Sequence, residues 1–178
     1  MFYLHERNNK KWKYKKYFDS LIQDNTNHVV RWGEADREIL KGSWLAPHIA
    51  NLQKEVEDDY NLIQKECPAE TRGEYTLDEY KQAWAFADQQ FLAIEKGGHV
   101  THALVPFLNY LNYHDDTSTF TRFDAEKNGL QLIAGRRIAR GEEISLRAVS
   151  DGQDYFLMKK GGVMGRRATR VPLTITLS

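Results

Sequence analysis

Apolar residues between positions 49 and 63 recur at intervals of three and four: Ile49, Leu52, Val56, Tyr60 and Ile63. That spacing draws one stripe along a helix, with Pro47 suited to its first turn and Pro68 lying beyond its end. The other face, carrying Glu55, Glu57, Asp58 and Asp59, belongs in water. A second helix is predicted from Thr76-Leu-Asp-Glu79, which has the spacing of a capping box. Tyr80, Ala83, Trp84, Ala87 and Phe91 form its buried face, and Gly97-Gly98 ends it. Upstream, residues 1–24 predict a short amphipathic helix running into a basic, aromatic-rich turn, and Glu34–Leu40 predicts a further helical stretch. From residue 103 the period changes. Phe120–Ala125 and Leu130–Ala134 predict short strands joined through Glu126-Lys-Asn-Gly129. Arg140-Gly141 predicts a turn before Glu143–Leu146, and Val171–Leu177 alternates as a last strand. Helices first and short strands afterwards make an α+β order.

Composition narrows this only a little. At 178 residues, 41% hydrophobic, the chain can bury one proper core. Twenty-five basic and 25 acidic side chains cancel, so no global field recruits a polyanion or a membrane surface. The charge is nonetheless uneven, with an acidic middle over residues 33–90 between two mildly basic ends. Cys67 is the only cysteine, which rules out an internal disulfide and suits a reducing compartment. No apolar run has the length of a membrane span. The segment MFYLHERNNKK lacks the apolar centre of a signal peptide. A cytoplasmic or nuclear location is the expectation.

Several stretches invite chemistry. NNKKWKYKKYF interleaves five lysines with Trp12, Tyr14, Tyr17 and Phe18. Such rings could stack on bases while the lysines meet phosphates. The plainer reading is a packed aromatic stripe with snorkelling lysines. His99 and His102, followed later by His114, Asp115 and Asp116, raise the question of a metal. A metal needs three or four converging ligands, Cys67 is distant in sequence and no HExxH is present, so no metal site is expected. The nucleophile elbow G-x-S-x-G and the glycine-rich nucleotide loops are likewise missing. ALVPFLNYLNY places Asn109 and Asn112 within apolar company, where an unmet amide costs about 1–3 kcal/mol. Either the fold or a ligand must satisfy them.

Six segments, taken in order, resemble one family. WKYKKYFDSLIQD resembles an opening Trp-x-x-Tyr-x-x-x-Leu-Pro, with Ile22 at the proline position, and EILKGSWL resembles Leu-x-Gly-Ser/Thr-x-Leu. YKQAWAFADQQF resembles the helix Trp-Ala-x-x-x-x-Ser-Arg-x-Phe, and ALVPFLNYLNY resembles Ala-Leu-Val-Pro-x-x-Asp-x-Leu-Asn-His. RRIARGEEISL resembles x-Ile-x-x-Gly-Glu-Glu-Ile-x-Tyr, and FLMKKGGV stands where Leu-Leu-x-x-Tyr-Gly-Phe-Val is common. The family is that of the SET-domain protein methyltransferases of the Rubisco large-subunit methyltransferase type. The resemblance implies an α+β SET-like fold of short β-strands with an inserted helical region, incomplete at its N-terminus. It divides the chain into an N-terminal SET-like part (1–33), a helical insert (34–98), a C-terminal SET core (99–165) and the start of a C-terminal substrate-binding lobe (166–178). A Gly-x-Gly cofactor segment is expected before residue 1.

The implied activity is methyl transfer from S-adenosylmethionine to a lysine or histidine of a protein substrate. Such chemistry asks mainly for in-line positioning of a neutral amine or imidazole. Asn112 falls on the cofactor-holding asparagine, and Tyr113 on the histidine that follows it. Asn109 takes the place of an aspartate. The family's active-site tyrosine falls on Leu146, which has no hydroxyl to donate. Its Ser-Arg pair falls on Asp88 and Gln89, so a fixed charge and forked donors are lost. No catalytic residue of the family is therefore intact. Tyr155, the nearest other tyrosine, falls on a helix-face position where packing is the expected role. The rival reading is a catalytically inactive SET module that binds a protein partner; nucleic-acid binding through the basic aromatic segment is a third and weaker reading, and no membrane partner is expected.

Overall fold

A computed structural model describes residues 2–21, 23–69, 73–114, 117, 119–147 and 153–160. The predicted strand Val171–Leu177, the lobe start at 166–178, and Ile22, Asp115 and Asp116 lie outside the described residues. The chain divides into two compact units. Among the described residues the first holds 2–89 and 153–160, and the second holds 90–147.

The first unit is helical: α1 (Phe2–Glu6), α2 (Lys15–Ser20), a 3-10 turn at Val29–Arg31, α3 (Glu34–Glu38), α4 (Leu45–Glu66), α5 (Leu77–Gln90) and α6 (Gln153–Lys160). α4 buries the stripe its spacing foretells. Ile49 and Val56 are sealed, and Leu52, Tyr60 and Ile63 pack against a cluster of Leu4, Val30, Val56, Tyr80, Ala83 and Ala85. Burying side chains of this size contributes about 1.5–3 kcal/mol each. One polar residue interrupts the stripe with a purpose. Buried Gln53 donates to the carbonyls of Val29 (2.7 Å) and Trp32 (3.0 Å) and accepts from Arg37 Nη1 (3.2 Å). The 3-10 turn is thereby tied to α4. The capping box is present at the start of α5: Thr76 N–H donates to Glu79 Oε2 (2.9 Å), and Glu79 N–H donates to Thr76 Oγ1 (3.2 Å). Of the rings in the basic segment, Trp12, Tyr17 and Phe18 are half-buried while Tyr14 is 49% exposed. Trp12 packs on Phe18 at 4.3 Å between centroids, and Phe18 meets Phe86 at 5.9 Å. Lys10, Lys11, Lys13 and Lys16 remain exposed.

In the second unit, β1 (Leu92–Lys96) and β2 (His99–Ala103) form an antiparallel hairpin, as do β4 (Thr119–Asp124) and β5 (Gly129–Ala134). Two short strands, β3 (Tyr113–His114) and β6 (Leu146–Arg147), pair in parallel. The β4–β5 hairpin agrees with its sequence signal. The end of α5 does not: the helix stops at Gln90, and Gly97-Gly98 is the turn of the β1–β2 hairpin. Both glycines have positive φ (59° and 79°), which matches a two-residue hairpin turn and its right-handed strand twist. Phe91, expected on the buried helix face, lies beyond the helix and is 38% exposed. The change of period accordingly comes at residue 92 rather than 103. Of Glu143–Leu146, Leu146 alone pairs as a strand, together with Arg147.

Candidate functional site

The second unit gathers three of the residues singled out from sequence. β3 and β6 pair Tyr113 with Leu146, and Leu146 N–H donates to the Asn112 carbonyl at 2.8 Å. The β6 segment is anchored from its other side. Thr119 Oγ1 and Thr117 Oγ1 both donate to the Ser145 carbonyl, at 2.5 and 3.0 Å. Leu146 is buried, at 5% exposure, so its side chain is packed within the fold rather than presented to solvent. Asn112 is exposed, and its amide Nδ2 donates to Glu143 Oε1 at 2.6 Å.

Asn109 behaves differently from its neighbour. Its amide donates to the Gln90 carbonyl at 2.5 Å and to Gln90 Oε1 at 3.3 Å. It thus meets a carbonyl at a helix end, one of the acceptors a helix cannot satisfy internally. Just upstream of Asn109 lies a strained residue. Phe107 precedes the 3-10 turn Leu108–Tyr110 with φ 72° and ψ −37°, and its ring is 79% exposed. A bulky side chain in that region of backbone space costs about 1–3 kcal/mol.

Gln89 lies in the first unit, where α5 and α6 interlock. Gln89 Nε2 donates to the Lys160 carbonyl at 3.2 Å, and Lys160 Nζ donates back to the Gln89 carbonyl. Next to it, Asp88 accepts from Lys159 Nζ at 2.6 Å and from His28 Nε2 at 3.3 Å. His28 is sealed from solvent, and its Nδ1 accepts Val30 N–H at 3.2 Å, so the ring proton sits on Nε2 facing Asp88. Burial pushes the Asp88 carboxyl up, but the bonds from His28 and Lys159 outweigh it and hold the group below its ordinary range. Burial pushes the Lys160 ammonium down to about 8, with Asp88 opposing and Lys159 adding to the fall.

Sequence reasoning missed Glu143, His28 and the Lys159–Lys160 pair as partners of these positions. Glu143 carried a signal, since it stands in the Gly-Glu-Glu run; His28 and the lysines carried none. His99 and His102 sit on β2, three residues apart and so on opposite strand faces. Among the described residues no group of three or more His, Cys, Asp or Glu side chains could hold a metal. Tyr155 falls on α6, and its side chain lies outside the described ones.

No family model and no curated protein matches the chain. Solved structures do. The SET domain of LSMT bound to lysine and AdoHcy has a TM-score of 0.74 at 16% identity, covering 92% of this chain and 39% of that one. The same domain bound to methyl-lysine and AdoHcy scores 0.75 at 17%, covering 93% and 39%. Rubisco LSMT bound to AdoMet scores 0.71 at 18%, covering 92% and 38%. The chain thus spans under two-fifths of the proteins it resembles. Its fold is that of a SET domain, α+β with short strands, as the ordered motifs predict.

Proposed function

We propose that the chain is the SET portion of a protein methyltransferase, moving a methyl group from S-adenosylmethionine to a lysine of a protein substrate. What most supports this is the exposed Asn112 amide, held beside the Tyr113–Leu146 pair in a fold whose solved neighbours bind AdoHcy or AdoMet and lysine.

The residues fit such a cofactor. Asn112 presents an exposed amide and Glu143 a carboxylate, groups that suit a ligand with hydroxyls and positive charge. The half-buried ring of Tyr113 beside them tolerates a sulfonium. Asn112 and Tyr113 would hold the cofactor, which supplies an activated methyl group when bound. The side chain of Leu146, buried and apolar, offers no hydrogen bond to an incoming amine. Positioning by the polypeptide substrate must then supply most of the rate.

Calorimetry with S-adenosylhomocysteine tests the reading. Binding is expected, weakened about two- to tenfold by Asn112→Leu, which removes one hydrogen bond to a partly exposed ligand. Absence of binding at millimolar ligand overturns it. Turnover on lysine-containing protein should climb from neutral toward alkaline pH. The acceptor amine, with an ordinary pKa of about 10.4, must arrive neutral, and the side chain at 146 cannot take its proton. A bell-shaped profile centred near neutrality would contradict that account.

A further inference from the structure

β2 (His99–Ala103) is an edge strand that the fold leaves unguarded. It pairs with β1 on one side, and among the described residues it makes no hydrogen bond beyond that hairpin. His99, Val100, Thr101 and His102 are all exposed, Val100 at 68%. Folded proteins protect such edges with charge, proline or a bulge. β1 carries Glu95 and Lys96, whereas His-Val-Thr-His-Ala has no lysine, arginine, acid or proline and pairs without a bulge. β5 is uncharged too, but it is largely half-buried.

The hairpin register says which groups face outward. A two-residue turn closes on a hydrogen-bonded pair, here Lys96 with His99, and such pairs alternate with non-bonded ones along the ribbon. The peptide groups of His99, Thr101 and Ala103 therefore turn toward β1, and those of Val100 and His102 turn away. An added antiparallel strand must bond to those two residues. A second β2 does so in one register: Val100 of each copy lies opposite His102 of the other, each pair exchanging both bonds, and Thr101 meets Thr101 on the two-fold axis. A shift of one residue sets outward peptide groups against inward ones. A shift of two carries Val100 or His102 past the end of the facing strand.

We infer that β2 pairs with β2 of a second copy in that register, joining two two-stranded hairpins into one wider antiparallel sheet across a closed interface. The side chains suit it. β-branched Thr101 faces its own copy, His99 faces Ala103 and His102 faces Val100, so no two imidazoles and no two charges stand opposed. A two-stranded ribbon is marginal by itself, and the added strands relieve that. The inference stands apart from the methyl-transfer reading.

Sedimentation velocity on the full chain over a range of concentrations tests it, with a reversible monomer–dimer equilibrium expected. Thr101→Lys and Thr101→Glu each set like charges together on the axis and should raise the dimer dissociation constant more than about tenfold. An equimolar mixture of the two should dimerise again, since lysine then faces glutamate. Residue 101 is exposed, so both variants should keep the far-UV circular dichroism of the parent chain. Hydrogen exchange on the unsubstituted chain checks the register independently. The Val100 and His102 amides should exchange more slowly as concentration rises, and those of His99 and Thr101 should change less. A chain that stays monomeric overturns the proposal, including one that binds an added extended peptide at β2, which assigns the edge to another protein. So does a dimer that both variants leave intact, a mixture that fails to re-form it, or exchange at Val100 and His102 that ignores concentration.

Discussion

Asn109 and Asn112, three residues apart in one apolar stretch, have opposite fates because one amide faces the chain and the other faces water. Asn109 spends its N–H groups on Gln90, a structural debt at a helix end. Asn112 keeps an exposed amide, lightly held by Glu143. The apolar company of both amides in sequence does not carry over to Asn112, which is exposed, and their partners lie 19 and 31 residues away, where no local pattern announces them. Gln53 shows the same limit inside a helix. Its position on the α4 stripe is legible, yet only packing against the Val29–Arg31 turn reveals why an amide is there. Gln53→Ala should cost about 1–3 kcal/mol in urea denaturation, since the Trp32 carbonyl would lose the Gln53 donor and the Val29 carbonyl would keep only the Trp32 N–H. A loss below about 0.5 kcal/mol would mean that water replaces the amide.

At the scale of elements, local chemistry was the better guide. The α4 stripe, the Thr76–Glu79 box and the β4–β5 hairpin all stand where their spacing put them, because each depends on neighbours within a few residues. Thr76→Ala should lower stability by about 1 kcal/mol, seen as a lower thermal midpoint, while Thr76→Ser should restore it. The failure at Gly97-Gly98 is also instructive. A glycine pair can close a helix or turn a hairpin, since both uses need positive φ. The six residues that follow α5 before the pair alternate too briefly to choose between the two on sequence alone. What settles the matter is the pairing of Leu92–Lys96 with His99–Ala103.

For the whole molecule, the stability profile with pH should report the α5–α6 interlock. Lys160 has a folded pKa of about 8 against an ordinary 10.5, so above pH 8 the folded state sheds its proton before the unfolded chain does. The unfolded state then binds more protons, and stability rises with pH between about 8 and 10.5. Asp88 acts at the other end. Its folded pKa is depressed, so its contribution is present above the ordinary carboxylate pKa of 3.8 and is lost as pH falls through the folded value. Denaturation across pH should therefore show Lys160→Met flattening the alkaline rise, and Asp88→Asn flattening the acid loss. If neither variant changes its limb, the interlock bears no energetic weight.

Local order was written into the chain: helical stripes, a cap, a hairpin turn, an acidic middle between basic ends, and a run of motifs in SET order. The stripes, the cap and the hairpin turn arise from sterics, hydrogen bonds and periodicity over a turn or two, so neighbours in sequence suffice to dictate them, whereas the motif order is legible only as a resemblance to a family. The parallel pairing of Tyr113–His114 with Leu146–Arg147, the carboxylate beside Asn112, the lysines gathered on Asp88 and Gln89, and the outward ring of Phe107 were decided by the fold. Each joins segments distant along the chain or depends on what its neighbours bury, and such choices are made by the free energy of the packed whole rather than by any one stretch.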